Sequence, residues 1–150
     1  MQTIFIGADH NGFRLKNALI KYLQKNKYPV HDAGDFILNK NDDYPLYGLA
    51  VAQEVVKHKK SFGILICGSS TGVCIAANKI RGIRAAAALD IGTVKLARAH
   101  TDANILCLSG WKLTVKKAQT IIHTFLMTSF SNETRHKRRI KQITEMEHMQ

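Results

Sequence analysis

Long apolar runs are missing from this 150-residue chain. No stretch approaches the ~18 residues that cross a membrane as a helix. The start, Met1-Gln-Thr-Ile-Phe-Ile-Gly-Ala-Asp9, lacks the basic head and long apolar body of a secretion signal and reads as a first strand. Cysteine is scarce: Cys67, Cys74 and Cys107 are an odd number without zinc-type spacing. Free thiols in a reducing cytosol fit better than a disulfide framework, so a cytoplasmic protein with no membrane partner and no metal is expected. Acidic side chains are few, 11 against 22 Lys and Arg, for a formal charge of +11. A surface so basic either binds nucleic acid or steers anionic substrates. The lysines are spread out, only 135–141 is dense, and no aromatic interleaving or nucleic-acid motif accompanies them, so no nucleic-acid partner is expected. Nucleotide-binding glycine patterns are absent too. The turn after Cys67 has no following Gly-Lys-Ser/Thr, and the first strand ends in Gly7-Ala-Asp-His-Asn-Gly12, which fails the dinucleotide spacing. No nucleotide or nicotinamide cofactor is expected.

What is present is an ordinary globular mix, 45% apolar and 22% charged, long enough to bury a substantial core as one domain over 1–150. Strand-like and helix-like segments alternate. Strands are expected over 3–6, 30–32, 62–66, 83–88 and 103–108. Helices are expected over 11–24, 46–58, 71–80, 92–101 and 115–127, from apolar residues at helical spacing. Residues 35–45 read as a polar loop. The tail, 132–149, carries Ile140, Ile143 and Met146 as a narrow apolar stripe, which needs a partner surface, here expected on another subunit. Alternating β and α segments imply an α/β fold: a three-layer αβα, Rossmann-like open sheet of five parallel strands. With an order 2-1-3-4-5, strands 1 and 3 flank the switch in strand order where such sheets bind ligands.

The ends of those two strands carry Ala8-Asp9-His10 and Cys67-Gly68-Ser69. After Cys67 come Ser70, Thr71 and Gly72 and then an Ala-rich helix. Backbone N–H groups at such a turn, with the helix dipole, favour negative charge. A thiol beside them is a candidate nucleophile or base, although a free Cys is also a common buried apolar residue. Asp9-His10-Asn11-Gly12 offers a helix cap, but a cap uses only one of three consecutive polar residues. Cys74 and Cys107 read as core. His100-Thr101-Asp102 ends a helix, where His either complements the dipole or serves a site. Arg135 and Arg139 share one helix face; that pair is either a solvated face or a phosphate grip.

With these residues in place, nearly the whole chain resembles the RpiB/LacAB family of sugar-phosphate isomerases. The matching stretches are Gly7-Ala-Asp9-His10-Asn-Gly12-Phe13, Asp43-Tyr44-Pro45, Gly63-Ile-Leu-Ile-Cys67-Gly68-Ser69, Ile75-Ala-Ala-Asn78-Lys79, Gly82-Ile-Arg84-Ala85, Ala99-His100 with Asp102-Ala-Asn104, and Arg135-His136 with Arg139. The resemblance implies a cofactor-free and metal-free isomerase that interconverts D-ribose 5-phosphate and D-ribulose 5-phosphate, a pentose phosphate pathway step, through an enediolate. It implies Cys67 as the base between C1 and C2, backbone N–H groups from Gly68 through Ser70 and Thr71 to Gly72 around the enediolate oxygen, and Ser69 assisting at the oxygens. It implies His100 opening the sugar ring with Thr101 beside it, Asp9 contacting the ring, and His10, Arg135 and Arg139 holding the phosphate. It implies a homodimer, or a dimer of dimers, with the site at the interface.

This sequence departs from the family pattern at three places. Ser70 stands where a second glycine is usual, Trp111 stands near a point where a basic residue often follows the fifth strand (Lys112 comes next), and Thr101 stands where Asn often follows the His. Some members lack the Cys and use a Glu at the position of Val73; this chain has the Cys and no such Glu. A six-carbon (allose or galactose 6-phosphate) isomerase and a non-catalytic sugar-phosphate-binding protein are the rival readings.

Overall fold

The computed structural model describes residues 2–149. Its elements are β1 (Ile4–Ala8), α1 (Phe13–Lys25), β2 (Val30–Asp32), α2 (Tyr44–Lys57), β3 (Phe62–Cys67), α3 (Thr71–Ala77), β4 (Ala85–Ala87), α4 (Ile91–Thr101), β5 (Ile105–Ser109), α5 (Val115–Met127) and α6 (Thr134–Glu147). The strands form one parallel sheet in the order β2-β1-β3-β5-β4. The order expected from the sequence, 2-1-3-4-5, is therefore wrong at its last two places. The reason is burial. β5, Ile-Leu-Cys-Leu-Ser, is buried along its whole length and takes an interior position. β4 is three alanines with partial exposure and ends up at the edge. The neighbouring placement of β1 and β3 is unaffected, and Ala8 pairs with Ile66 at their ends.

Strand alternation sorts the core into two layers. Ile4, Ile6, Ile64, Ile66, Leu106 and Leu108 face one side, where Leu15, Leu19 and Leu23 of α1 and Ile121, Ile122 and Phe125 of α5 cover them. Phe5, Leu65, Cys67, Ile105 and Cys107 face the other, under Val51, Ala52 and Val55 of α2 and Val73 and Ala77 of α3. Each fully buried Leu or Ile contributes roughly 1.5–3 kcal/mol of transfer free energy. Cys74 is half-buried against the second layer and is less enclosed than expected. α2 starts two residues earlier than expected because Pro45 fits the first helical turn, where its missing N–H costs nothing.

Two buried cations fix the ends of the sheet. Lys16 of α1 is fully buried; its Nζ donates to both oxygens of Asp32 (2.7 and 2.8 Å) and to the Asp35 carbonyl (2.5 Å), which pins the start of the 33–43 loop. Arg98 of α4 donates to Asp102 Oδ1 (2.7 Å) and the Ala103 carbonyl (2.7 Å), and its guanidinium lies 4.8 Å from the Phe62 ring centroid. α6 packs against α4 of its own chain. It buries His136, and Glu147 accepts from the Gly82 N–H (3.1 Å). Ile143 and Met146 remain largely exposed along a groove of about 960 Å³ that His100 and Thr101 also line.

Candidate active site

The carboxyl ends of β1, β3 and β5 meet tightly. The Asp9 N–H donates to the Ile66 carbonyl (3.2 Å), the Gly110 N–H to Cys67 (2.9 Å) and the Trp111 N–H to Gly68 (3.2 Å), while the Ser109 hydroxyl donates to Gly68 O (2.6 Å). Cys67 is thereby fixed at the end of β3, 3% exposed, with its carbonyl tied to the β5 turn. Gly68 is required by close approach: a Cβ there would lie 2.5 Å from the Trp111 ring. Gly72 is the same case against Tyr44, at 2.6 Å. Two aromatic side chains thus stand at either end of the Gly68–Gly72 turn. Between them Ser69 is exposed and its Oγ accepts from the Thr71 N–H (3.3 Å). Ser70 is buried and has φ +73°, the left-handed conformation that glycine adopts at no steric cost. The turn keeps a glycine-type backbone with serine in it.

On the β1 side, Asp9 is 4% exposed, and its Oδ1 accepts from the Asn11 and Gly12 N–H groups (3.0 and 3.1 Å). It closes the turn that leads into α1; the N-cap itself is Gly12 and no side chain caps the helix, so the cap reading of this stretch does not hold. Burial pushes its pKa up, and the Gly12 N–H and nearby His10 pull against that. His10 Nδ1 lies 2.5 Å from Asp42 Oδ1, and its Nε2 lies 2.9 Å from the Asn11 amide nitrogen. The Asp42 carboxylate holds the His10 pKa above the ordinary imidazole value. Burial, and then the same carboxylate, push the Tyr47 hydroxyl up to about 12, so it stays protonated. Asp9, His10 and Asp42 are the one group of three among the described residues with ligand atoms close enough for a metal, within 4.8 Å. Asp9 Oδ1 and His10 Nδ1 are already committed to hydrogen bonds, so the group reads as a hydrogen-bonded set.

His100, Thr101, Arg135 and Arg139 are elsewhere. α4 runs back from β4, so its C-terminal end lies at the opposite end of the strands, beside their amino termini. There Arg84, just before β4, donates to the Thr101 carbonyl (2.8 Å), and its N–H donates to Asn104, just before β5 (2.8 Å). Cys67 pairs with Ser109 at the far end of β5; four residue steps of strand make that separation roughly 13 Å along the sheet. His100 is exposed and stacks on His136 at 4.2 Å between centroids. Burial pushes the His136 pKa down, and its Nδ1 pairs with Ser131 Oγ (2.7 Å). Arg135 and Arg139 are both exposed, and Arg135 pairs with Glu133 (2.8 Å). One chain brings together Asp9, His10, Cys67, Gly68, Ser69, Ser70, Thr71 and Gly72, and leaves His100, Thr101, Arg135 and Arg139 at the other end of the strands. Sequence reasoning missed Asp42 and Tyr47, and it noted Tyr44 only within the stretch Asp43-Tyr44-Pro45, without a role. The glycines at 68 and 72 were the available signal for an aromatic wall.

The Ribose/Galactose Isomerase family model matches residues 4–143. The chain is 44% identical over 140 residues to a probable ribose-5-phosphate isomerase B of Mycoplasma pneumoniae, covering 93% of this chain and 91% of that one. It is 38% identical over 144 residues to ribose-5-phosphate isomerase B of Mycolicibacterium paratuberculosis, covering 96% and 91%. Among solved structures, ribose-5-phosphate isomerase B from Mycoplasma genitalium with bound ribulose-5-phosphate superposes with a TM-score of 0.95 at 41% identity, covering 99% of this chain and 97% of that one. The enzyme from Clostridium thermocellum gives 0.94 at 39%, covering 99% of both.

Proposed function

This chain belongs to the Ribose/Galactose Isomerase family, and from that premise we propose that it interconverts D-ribose 5-phosphate and D-ribulose 5-phosphate with Cys67 as the base. The observation that carries this reading is the placement of Cys67 at the end of β3, on the Gly68–Gly72 turn and beside Asp9 and His10 at the end of β1.

The chemistry follows from the site. The Cys67 thiolate takes the proton from C2 of the open-chain aldose, and the C1 carbonyl becomes an enediolate oxygen. Backbone N–H groups of the turn face the developing negative charge, the kind of fixed donor set that lowers such a barrier most. The thiol returns the proton to C1, and the exposed Ser69 hydroxyl moves the O2 proton toward O1. The reaction so written is redox-neutral overall and needs no added cofactor or metal.

His10 holds the phosphate on the chain that supplies Cys67. His100, Thr101, Arg135 and Arg139 serve the Cys67 of a second copy, since their own Cys67 lies at the other end of the strands. A homodimer with two composite sites supplies both sets, and the exposed apolar side chains Ile143 and Met146 beside His100 support an interface there. Among the described residues no helix is long and apolar enough to cross a membrane. Cys67→Ala tests the base assignment. Turnover of ribose 5-phosphate should fall by at least about a hundredfold, the lower range for a positioned proton-transfer group, with KM little changed. A variant that keeps near-normal turnover removes Cys67 from the role.

A further inference from the structure

A chain of hydrogen bonds spans the β1, β5 and 33–43 loops and ends on His10. Trp111 Nε1–H, which can only donate, donates to Asn11 Oδ1 at 3.2 Å. That fixes the Asn11 amide with its Nδ2–H toward His10 Nε2 at 2.9 Å. On the other side of the ring, Nδ1–H donates to Asp42 Oδ1 at 2.5 Å. The Asp42 side chain is 4% exposed, and its carboxylate also acts on the Tyr47 hydroxyl behind it. A buried charged pair is by itself a poor source of stability. The carboxylate's closest contact is the imidazole it grips.

Building on the reading of His10 as a phosphate holder, we propose that Asp42 is a positioning residue: it fixes the Nδ1 side of His10 so that Nε2 is presented to the substrate phosphate. The Trp111–Asn11 pair occupies Nε2 until the phosphate arrives. When it does, Nε2 takes up a proton from solvent and donates to a phosphate oxygen in place of accepting from Asn11. His10 is about one-third exposed, at 29% of its side chain. It opens on a cavity of about 680 Å³ that Arg14 and Lys40 also line, cations that suit an anionic group. The charged and titratable groups facing His10 are Asp9 from β1, Asp42 and Lys40 from the loop and Arg14 from α1, with Tyr47 of α2 behind Asp42. The two carboxylates favour the imidazolium, and Lys40 opposes it.

The test is NMR of histidine-labelled full-length protein, read against pH and against added inorganic phosphate. In the wild type, His10 should titrate above the ordinary value of ~6.5; a midpoint at or below that value overturns the proposal without any variant. In Asp42→Asn the His10 midpoint should move down, and inorganic phosphate should bind roughly tenfold more weakly at slightly alkaline pH, as a charge-assisted hydrogen bond is lost. KM for ribose 5-phosphate should rise with it, more than kcat falls, and the rise should begin at lower pH than in the wild type. An unchanged midpoint with unchanged phosphate affinity overturns the role of Asp42. Wild-type protein that shows the His10 titration and phosphate response but no turnover supports the clamp and contradicts the isomerase reading, so the two failures are distinguishable.

Discussion

Mixing two inactive variants should restore activity if the site is shared between copies. Take Cys67→Ala and His100→Ala. In one chain the two positions sit at opposite ends of β5, roughly 13 Å apart along the sheet, too far for one small sugar phosphate to meet both through the core. In a two-fold dimer, the Cys67 of each copy works with the His100 of the other. A mixed dimer then has one site with both lesions and one site with none. Random exchange of equal amounts yields about half mixed dimers, each half-active, so the mixture should reach about a quarter of wild-type turnover. The assay is ketose formation from ribose 5-phosphate after the two proteins are unfolded together and refolded, against each variant treated alone. Activity that stays at the sum of the two single variants would refute the shared site and place all the chemistry on one chain.

Arg139→Ala should raise KM for the sugar phosphate by roughly tenfold, the size of one charge-assisted contact, with kcat nearly intact; an unchanged KM removes Arg139 from the phosphate. Gly68→Ala should depress both turnover and stability because the new Cβ falls 2.5 Å from the Trp111 ring. Combining it with Trp111→Ala should recover much of the loss, and a strictly additive pair of effects in thermal melts would contradict the contact. Ser70→Gly relieves the cost of φ +73°, about 1–2 kcal/mol for a non-glycine residue, while adding about 0.5–1 kcal/mol of unfolded-state entropy. The net gain of about 0–1.5 kcal/mol should leave Tm unchanged or raise it by up to roughly 6 °C with turnover retained, and a lowered Tm would show that the serine side chain supports the turn.

Much of the fold was legible because it rests on local patterns. Apolar runs such as Phe62–Cys67 and spaced apolar residues such as Leu15, Leu19 and Leu23 announce their elements directly. Polar residues directly after the first and third strands announced the crevice, and the structure joins those strands. The order of β4 and β5 was not legible, since three alanines give no sign of edge or interior until the competing strand is seen to be buried on both faces. Asp42 was hidden for a different reason. It meets His10 across 32 residues, through a loop whose path is set by Lys16, Asp32 and Asp35. The separation of His100 from Cys67, by contrast, follows from chain direction: a helix after a parallel strand runs back, so its C-terminal residues end at the other end of the strands. The left-handed backbone at Ser70 was not legible either, since a serine letter does not announce an angle that glycine adopts more readily.

The measurement closest to the heart of this account is the reaction itself: ribose 5-phosphate with purified protein in D2O, EDTA present and no metal added, followed by NMR. Ketose should form catalytically, with deuterium entering at the carbon-bound position where Cys67 exchanges its proton and with Cys67→Ala silent. If the wild-type protein binds the sugar phosphate yet forms no ketose and exchanges no deuterium, the chain is not a thiol-base isomerase of this substrate.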